Sequence, residues 1–531
     1  DVYKRQLILQ CSSLGFAQVD SATGAKAAGK QTGNMNANTP AELISREILF
    51  GNPDRSGVAL SPDGKYISYL APHKIEGSEV MNIFVAPVGS PAQAKVLTKE
   101  TMRGIRTYAW AYNSKHIVYI QDQGGDENWH VFAVNVTNSE IKDLTPFTSV
   151  AARINRISPM SPDAIAVDVN DRTPNHHDVY KISLESGERT LLYKNDLFAG
   201  IETDASLNPR LGRKVTDDGG AEIHKIKDDG STELFETIPA EDSLNTTTMG
   251  FDSTGNLLYV LDSRGRDTSA LLEINTQLGD RRLIAQNSKA DAGNVLMHPT
   301  KLTVQGVRFN YLRPEWKVLD DSLAADFEYL KKINDGDFSL ASRTLDDRSW
   351  IVAYEQAHGP TQFYRYERLD SGKPGIATYL FSNYKALENL PLARMNPVVI
   401  KSRDGLDLPS YLTLPVWRDV DQDGRPDATA EGEPLAMILL VHGGPWARDS
   451  YGYRPMVQWL ANRGYAVLQV NFRGSTGFGK RFVNAGNREW AAKMHDDLID
   501  AVNWAIENKI AKQDRIGIMG GSYGGYATLV G

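Results

Sequence analysis

The feature that most constrains the fold of this 531-residue chain is a repeat of about 44 to 48 residues, which runs from about residue 56 to about residue 385. Each unit contains a turn, an apolar strand, a second turn and a strand in which aromatic and polar residues alternate. The turn and apolar strand occur as "LSPDGKYISYL", "WAYNSKHIVYI" and "FDSTGNLLYVL". Such alternation over short segments is typical of half-buried antiparallel strands.

The spacing of the alternating strands sets the number of units. Equivalent positions in successive units are Phe84, Phe132, Tyr180, His224 and Leu272, and the next clear match is Tyr364, about two steps further on. One unit, near Trp316, is therefore poorly marked. A four-stranded unit at this period predicts a β-propeller of seven blades, with eight blades as the alternative. An irregular β-sandwich is the competing interpretation, but a sandwich does not require a fixed long period.

The pattern changes after Leu390. "NPVVIKSRDGLDLPSYLTLP" predicts a hairpin that turns at Asp404 and Gly405. "LAMILLVHGGP" and "YAVLQVNFRG" are apolar runs typical of strands buried on both faces, and helical segments alternate with them. We therefore predict two domains, a propeller over residues 46–390 and an α/β domain with a mostly parallel sheet over residues 391–531.

The first 45 residues predict a signal-peptide remnant followed by a polar linker. Basic residues, a short apolar segment and small residues around Ala17 follow one another in the order of a secretory signal, with a disordered tail as the alternative. The only cysteine, Cys11, lies in this stretch, so the body has no thiolate metal site or disulfide. We therefore expect a periplasmic or secreted protein.

The net charge and the hydropathy of the sequence argue against binding to nucleic acid and against a membrane span. The formal net charge is −8 and the basic residues are scattered among acidic ones, so the sequence offers no stripe for a nucleic-acid backbone. No apolar run is long enough to span a bilayer.

A G-x-S-x-G sequence lies near the end of the chain, between a predicted strand and a predicted helix. It runs from Gly520 to Gly524, with Ser522 at its centre. This context is that of a nucleophile elbow, in which the serine hydroxyl is exposed above the sheet. Glycine is needed two residues to either side because strand and helix approach too closely for a Cβ atom. The context predicts an α/β-hydrolase domain with Ser522 as the nucleophile.

Two backbone N–H groups are predicted to stabilise the oxyanion that forms on attack. One belongs to Tyr523, directly after the serine. The other belongs to Gly444 in "HGGP", which follows a buried strand as the oxyanion loop of such hydrolases does. His442 is either a further donor or, the interpretation we favour, a structural histidine that hydrogen-bonds the loop.

The base of the reaction is not found in the sequence. In this fold the triad runs in the order Ser, then Asp or Glu, then His, and both His442 and His495 precede Ser522. We expect the chain to be a fragment whose Asp and His lie beyond residue 531, and we expect it to be inactive as it stands.

Together these motifs resemble the prolyl oligopeptidase family of serine peptidases (family S9), close to its dipeptidyl peptidase and acylaminoacyl peptidase branches. "HGGPWA", "NFRGSTGFG", "HDDLIDAVNWAI" and "GGSYGGY" stand in the family's order after a propeller of the expected size. The resemblance covers nearly the whole chain. It implies a propeller that caps the active site and admits only peptides or small substrates, with an acyl-enzyme on Ser522.

The resemblance also implies two substrate contacts. Arg473 belongs to a motif beside the catalytic cleft, with a structural turn as the alternative. Glu127, in the acidic loop "GGDENW", is a candidate to hold a peptide's amino terminus, as acidic residues do in the aminopeptidase branch, but a solvated turn is the interpretation we favour.

An aspartate-rich segment, "DVDQDGRPD", has the spacing of a calcium loop. Its candidate ligands are Asp419, Asp421, Asp423 and Asp427. Gly424 stands at the sharp turn, but Ala430 stands where a calcium loop has its bidentate glutamate. The chemistry at the serine requires no cofactor.

The sequence thus predicts a serine peptidase that cleaves short peptides. An esterase of the same fold is one alternative. A propeller that serves as a binding scaffold beside a vestigial hydrolase domain is the other, and the intact elbow and oxyanion loop argue against it.

Overall fold

The structure is a computed structural model that describes residues 39–369, 372–426 and 433–531. The predicted signal-peptide remnant and most of the predicted linker lie outside these residues. Within them the chain forms seven small antiparallel sheets, followed by one five-stranded sheet with helices. The seven sheets are the blades of a β-propeller, as predicted, and the last sheet belongs to the α/β domain, which we call the catalytic domain.

The strands of each blade are consecutive in the chain. Blade 1 consists of β1 to β4 (Ser56–Leu60, Tyr66–Ile75, Ser78–Pro87 and Lys95–Val96), and blade 2 consists of β5 to β8 (Tyr108–Trp110, His116–Gln121, His130–Asn135 and Ile141–Asp143). Blade 3 consists of β9 to β12 (Arg153–Ile157, Ala164–Thr173, His176–Ser183 and Arg189–Tyr193), and blade 4 consists of β13 to β16 (Gly200–Thr203, Pro209–Val215, Ala221–Ile226 and Thr232–Ile238). Blade 5 consists of β17 to β20 (Thr247–Phe251, Leu257–Asp262, Ala270–Asn275 and Arg281–Ala285), and blade 6 consists of β21 to β23 (Ala292–Met297, Val304–Asn310 and Pro314–Val318). Blade 7 consists of β24 to β27 (Asp337–Arg343, Ser349–Glu355, Gln362–Glu367 and Ile376–Ser382).

The predicted equivalent positions all fall on the third strand of their blades. Each of them pairs with a residue of the second strand, as Phe84 does with Tyr69 and Tyr364 with Val352. Trp316 takes the same position in blade 6, where it pairs with Arg308. The repeat therefore marks a real structural equivalence, and the number of blades is seven rather than eight.

Blade 6 differs from the others because the described residues give it three strands. A helix, α2 (Ala324–Leu330), follows its third strand. Phe327 of α2 packs edge-to-face against Trp316, with ring centroids 5.7 Å apart, and also against Phe338 and Trp350 of blade 7. The helix thus takes the place of the fourth strand that the other blades have, whereas the third strand of blade 6 is present and carries Trp316.

The ring closes between blades 7 and 1 without an exchanged strand, since each of these blades is built from one continuous segment. Apolar side chains of both blades, among them Val58, Leu60, Ile351 and Phe363, form one buried cluster. The Leu60 N–H also donates to the Ser342 hydroxyl at 2.7 Å. The Leu345 N–H of blade 7 also donates to the Pro62 carbonyl of blade 1 at 2.9 Å. Closure therefore depends on side-chain packing and individual hydrogen bonds rather than on a shared sheet.

The sheet of the catalytic domain has the strand order β28-β29-β31-β30-β32. These strands are Met395–Lys401, Asp407–Thr413, Ala466–Val470, Leu435–Val441 and Ala511–Gly520. β30 pairs in parallel with β31 and β32, whereas β29 pairs antiparallel with β28 and β31. Two of the four pairings are therefore parallel and two antiparallel, so the described part of the sheet is not mostly parallel. The antiparallel pair β28–β29 is the predicted hairpin, which turns at Gly405.

Four helices accompany this sheet: α3 (Pro455–Ala461), α4 (Lys480–Asn484), α5 (Lys493–Glu507) and α6 (Tyr523–Val530). α5 packs its apolar side chains, including Met494, Leu498 and Ala501, into the core beneath the sheet. Among the described residues, none of the helices combines the length and the apolar character needed to cross a membrane.

A short N-terminal helix, α1 (Arg46–Phe50), precedes the propeller but packs on the catalytic domain. Leu49, at 1% exposure, lies in a cluster with Trp459 of α3. The Ile44 N–H donates to Asn462 Oδ1 at 2.7 Å, and the Tyr453 hydroxyl donates to the Leu49 carbonyl at 3.2 Å. The predicted propeller boundary at residue 46 thus falls within a segment that contacts the other domain.

Candidate active site

Ser522 lies in the sharp turn between β32 and α6. Its backbone has φ 55° and ψ −119°, a conformation that non-glycine residues adopt rarely and that costs free energy. The residue is exposed, and its side chain does not cap the helix that follows. The hydroxyl is therefore presented to solvent above the sheet, as a nucleophile elbow requires.

The glycines around Ser522 allow the close approach that makes the turn. A Cβ atom at Gly524 would lie 2.1 Å from the carbonyl oxygen of Val441, the last residue of β30. A Cβ atom at Gly520 would lie 2.6 Å from the same oxygen and from the Gly524 carbonyl carbon. Because real Cβ atoms do not come so close, only glycine fits at both positions.

The oxyanion loop follows β30 and reaches the serine through its first glycine. A Cβ atom at Gly443 would lie 3.2 Å from Ser522 Cβ and 3.8 Å from Ser522 Oγ. Gly444 follows with φ 121° and is exposed. Tyr523 is the first residue of α6, where backbone N–H groups have no acceptor within the helix. Tyr523 directly follows the serine, and Gly444 directly follows Gly443, which lies against the serine. The roles of Gly444 and Tyr523 as oxyanion donors stay predictions.

His442 holds the oxyanion loop in place. Its Nδ1 lies 2.7 Å from the Gly443 carbonyl oxygen, and its Nε2 lies 2.9 Å from Ser475 Oγ. The imidazole also stacks on Phe472, with ring centroids 4.6 Å apart and an interplanar angle of 15°. Since both ring nitrogens are engaged, the contacts favour the structural role over a role as a base or as a further oxyanion donor.

Aromatic rings extend from this histidine to the elbow. The ring of Phe472, which follows β31, lies 5.2 Å from the ring of Tyr523, and Trp490 packs edge-to-face on Tyr523 at 5.0 Å. Tyr523 is 4% exposed, and burial raises the pKa of its phenol to about 12. The Tyr523 side chain is therefore an anchor for the first turn of α6.

Arg473 lies in a buried ion-pair network behind the site. Its guanidinium donates two hydrogen bonds to Asp497 of α5, at 2.8 and 2.7 Å, and two to Asp404 of the β28–β29 turn, at 2.9 and 2.8 Å. The Arg473 side chain is 5% exposed and that of Asp497 is 0% exposed. Hydrogen bonds from Arg473, and a further one from Ser402, lower the pKa of the Asp404 carboxyl. These contacts give Arg473 a structural role, and its role in substrate binding stays a prediction.

Asp497 supports the site through Arg473 and is not among the predicted residues, although the sequence carries a signal for it. In α5 it is three residues after Met494 and four before Ala501, so it falls on the buried face of an amphipathic helix. A carboxylate at such a position needs a cationic or hydrogen-bonding partner. Helical periodicity could therefore have indicated Asp497, but not that its partner is Arg473.

The predicted substrate contact Glu127 lies on the propeller, in the loop between the second and third strands of blade 2. It is exposed, has φ 60°, and its N–H donates to Asp122 Oδ2 at 3.2 Å. Its role as an acceptor for a peptide's amino terminus stays a prediction.

The aspartate-rich loop brings three of its four predicted ligands together. One carboxylate oxygen each of Asp419, Asp421 and Asp423 lies within 4.8 Å of the other two. Asp419 is buried, and its Oδ1 accepts the Gly424 N–H at 3.0 Å. Burial, with a further contribution from the two neighbouring carboxylates, raises the pKa of Asp419 to about 6. The fourth predicted ligand, Asp427, lies outside the described residues.

Comparison with known proteins gives similarities over nearly the whole chain. The model of the prolyl oligopeptidase family matches residues 451–530. The chain is 49% identical over 529 residues to dipeptidyl aminopeptidase BIII of Pseudoxanthomonas mexicana, which covers 99% of this chain and 74% of that protein. It is 33% identical over 515 residues to dipeptidyl peptidase family member 6 of Caenorhabditis elegans, covering 92% of this chain and 68% of that protein.

A similar fold is found in a solved prolyl endopeptidase. The TM-score is 0.66 at 15% sequence identity, and the match covers 92% of this chain and 72% of that chain. At this identity the likeness extends to the fold alone, which is a propeller joined to an α/β-hydrolase domain.

Replacing Gly524 by alanine should disrupt the elbow. The added Cβ would meet the Val441 carbonyl at 2.1 Å, and neither strand nor helix can retreat without breaking the sheet. We expect Gly524→Ala to lower the free energy of unfolding by about 3 kcal/mol, measured by urea denaturation. Gly525→Ala is the matched control, because its Cβ would lie 3.4 Å from the nearest atom. Equal destabilisation by the two variants would contradict the close-approach argument.

Removing the carboxylate of Asp497 should destabilise the domain by leaving part of the Arg473 guanidinium unpaired. We expect Asp497→Ala to lower the free energy of unfolding by about 3 kcal/mol. The substitution leaves the buried charge of Arg473 without one of its partners, so the cost of removing that charge from water is no longer offset. Asp496→Ala is the control. Asp496 is the preceding residue on the same helix and pairs with Arg403, and its side chain is 42% exposed, so its loss should cost less than about 1 kcal/mol. A cost for Asp497→Ala as small as that of the control would refute this role.

Proposed function

The chain belongs to the prolyl oligopeptidase family, and on this premise we propose that it is a serine peptidase that releases dipeptides from the amino terminus of short peptides. The strained, exposed Ser522 with Gly443 against it is the observation that carries the proposal. Both relatives described above bear dipeptidyl peptidase names. The amino-terminal preference is drawn from those names and from the exposed Glu127 on the propeller.

The proposed reaction proceeds in two acyl-transfer steps. Ser522 Oγ attacks the carbonyl carbon of the second peptide bond, and its proton passes to a base and then to the leaving amine. The N–H groups of Tyr523 and Gly444 stabilise the negative oxygen of the tetrahedral intermediate. Water then hydrolyses the ester on Ser522 and frees the dipeptide. The base stays a prediction from the chain order of the triad.

We also propose that the propeller limits access to Ser522. Arg448, three residues after the "HGGP" segment, ties this part of the chain to the propeller, because its guanidinium donates to the backbone carbonyls of Asn310 and Tyr311 at 2.7 and 2.9 Å. A propeller held this close above the sheet would exclude folded proteins and admit short peptides. A periplasmic or secreted location, inferred from the first residues of the sequence, fits a peptidase of this kind.

A substrate series tests the proposal. The protein expressed from its complete gene is offered dipeptidyl amides with free and with blocked amino termini, together with small esters. We expect hydrolysis of the free dipeptidyl amides and little hydrolysis of the blocked ones. Faster cleavage of blocked peptides would overturn the amino-terminal preference, and cleavage of esters alone would favour the esterase.

Ser522→Ala should remove turnover while leaving the fold intact. The alanine lacks the nucleophile but keeps the oxyanion donors, so we expect kcat to fall by roughly 10⁴ to 10⁶. Steady-state kinetics on the preferred peptide measures the loss, and circular dichroism checks the fold. More than a tenth of wild-type activity in this variant would show that Ser522 is not the nucleophile.

We further propose a structural calcium site at Asp419, Asp421 and Asp423. Their clustered carboxylates are hard oxygen ligands of the kind that calcium prefers, and a divalent cation would offset their mutual repulsion. Ala430 in place of the glutamate should weaken binding toward the millimolar range. Catalysis at Ser522 does not depend on this ion.

Calcium should therefore raise the thermal stability of the wild-type protein. We expect millimolar calcium to increase Tm, because a ligand that binds only the folded state stabilises it. The variant with both Asp421→Ala and Asp423→Ala should lose this increment, measured by differential scanning fluorimetry with and without chelator. An equal response to calcium in the variant and the wild type would reduce the loop to an acidic surface turn.

A further inference from the structure

One face of the propeller is turned toward the catalytic domain. Because the strands of a blade alternate in direction, the loops between second and third strands and the connections between blades lie on the same face. Asp267, in the loop between the second and third strands of blade 5, and Asp291, in the connection from blade 5 to blade 6, both contact the catalytic domain from this face.

The partner of these two aspartates is the segment 477–481, which precedes and begins α4 and which we call the docking segment. Asp267 holds its end: the Arg481 N–H donates to Asp267 Oδ1 at 2.8 Å, and the Lys480 N–H donates to the Asp267 carbonyl at 2.9 Å. A Cβ atom at Gly479, where φ is 90°, would lie 2.9 Å from Asp267 Oδ1. The segment therefore fits against Asp267 only with glycine at this position.

Asp291 holds the start of the docking segment. Its N–H donates to the Gly477 carbonyl at 3.1 Å, and its Oδ2 accepts the Gly479 N–H at 3.3 Å. The same carboxylate is fixed within the propeller, since it accepts the Ser269 N–H at 2.7 Å and the Asn245 side-chain amide at 2.8 Å. Asp291 is thus held in place within the propeller and in turn holds the docking segment in place.

An ion pair strengthens the contact. The Lys480 ammonium donates to Asp242 Oδ1 at 2.8 Å, and both side chains are largely withdrawn from solvent, at 15% and 3% exposure. Such a desolvated pair weakens less in salt than an exposed pair does.

The residues directly before the docking segment hold the oxyanion loop. Ser475 Oγ lies 2.9 Å from His442 Nε2, and the Thr476 N–H donates to the Ala447 carbonyl at 2.9 Å. The contact with His442 lies just before Gly443 and the contact with Ala447 lies just after Pro445, so the loop is held at both ends. A shift of the docking segment would therefore move Ser475 and Thr476 and, through them, the loop that faces Ser522.

From this arrangement we infer that Asp267 and Asp291 of the propeller are positioning residues for the reaction at Ser522. They fix the docking segment, and through Ser475 and His442 they fix the oxyanion loop. The propeller is then a part of the catalytic apparatus and not only a cover over it. The inference rests on the proposed peptidase function and extends it to the source of the loop's geometry.

Two substitutions on opposite sides of the contact test the inference in the protein expressed from its complete gene. Asp267→Ala removes the acceptor for the Arg481 N–H, and Lys480→Ala removes the ion pair with Asp242. Because a displaced oxyanion donor acts mainly on the transition state, we expect kcat to fall about tenfold in each variant while KM changes less than about threefold. The rate of Ser522 labelling by a fluorophosphonate should fall in parallel.

Two controls separate positioning from general damage. Asp267→Asn keeps a side-chain oxygen that can accept the Arg481 N–H and should retain most of the wild-type kcat. Asp280→Ala removes an exposed carboxylate from the opposite face of the same blade and should leave kcat unchanged. A Tm well above the assay temperature in all four variants excludes unfolding as the cause.

Three results would overturn the inference: an unchanged kcat in both Asp267→Ala and Lys480→Ala, a rise in KM without a fall in kcat, or a loss in Asp267→Asn as large as in Asp267→Ala. An inactive wild-type protein would instead refute the proposed function, so the two failures are distinguishable.

Discussion

The catalytic domain depends on the close approach of Gly524 to the carbonyl of Val441. In the register of β30 and β32, Val441 stands opposite Gly520, so both strands end at the same level. The oxyanion loop leaves one strand and the turn with Ser522 leaves its neighbour, which brings Gly443 beside Ser522. The unfavourable backbone conformation of Ser522 persists because the sheet on one side and the helix on the other leave no alternative path for the chain.

Charge buried behind the site joins elements that are distant in sequence. Arg473 follows β31, Asp404 lies in the first hairpin of the domain, and Asp497 lies in α5, yet their side chains form one hydrogen-bonded group. Taking a guanidinium out of water is favourable only when its donors are satisfied, so the turn after β31 is well formed only when both partners are in place. The same turn carries Phe472 and Ser475, which contact His442. The oxyanion loop therefore rests on a polar scaffold as well as on the apolar core.

Sequence periodicity was sufficient to predict the propeller, because each blade repeats one alternation of buried and exposed residues. The repeat is poorly marked at blade 6, where α2 packs Phe327 against Trp316 of the third strand and takes the place of a fourth strand. The elbow was predictable because its glycines are close in sequence and have one steric reason. The residues that support the site from a distance were harder to predict. Asp497 could be recognised as a buried carboxylate from helical spacing, but its pairing with Arg473, and the contacts of Asp267 across the domain interface, join residues whose proximity no local pattern encodes.

The position of α1 has a consequence for the order in which the protein assembles. Ile44 bonds Asn462 across 418 residues of sequence, and the whole propeller lies between them. The N-terminal segment is synthesised first, yet its binding surface on α3 exists only after the last blade has been made. Closing so long a loop in an unfolded chain is slow, although its entropic cost grows only with the logarithm of loop length. A folded propeller, closed by the packing of blade 7 on blade 1, brings the two ends of that loop together. The propeller thus acts as the template on which the two separated parts of the catalytic domain meet.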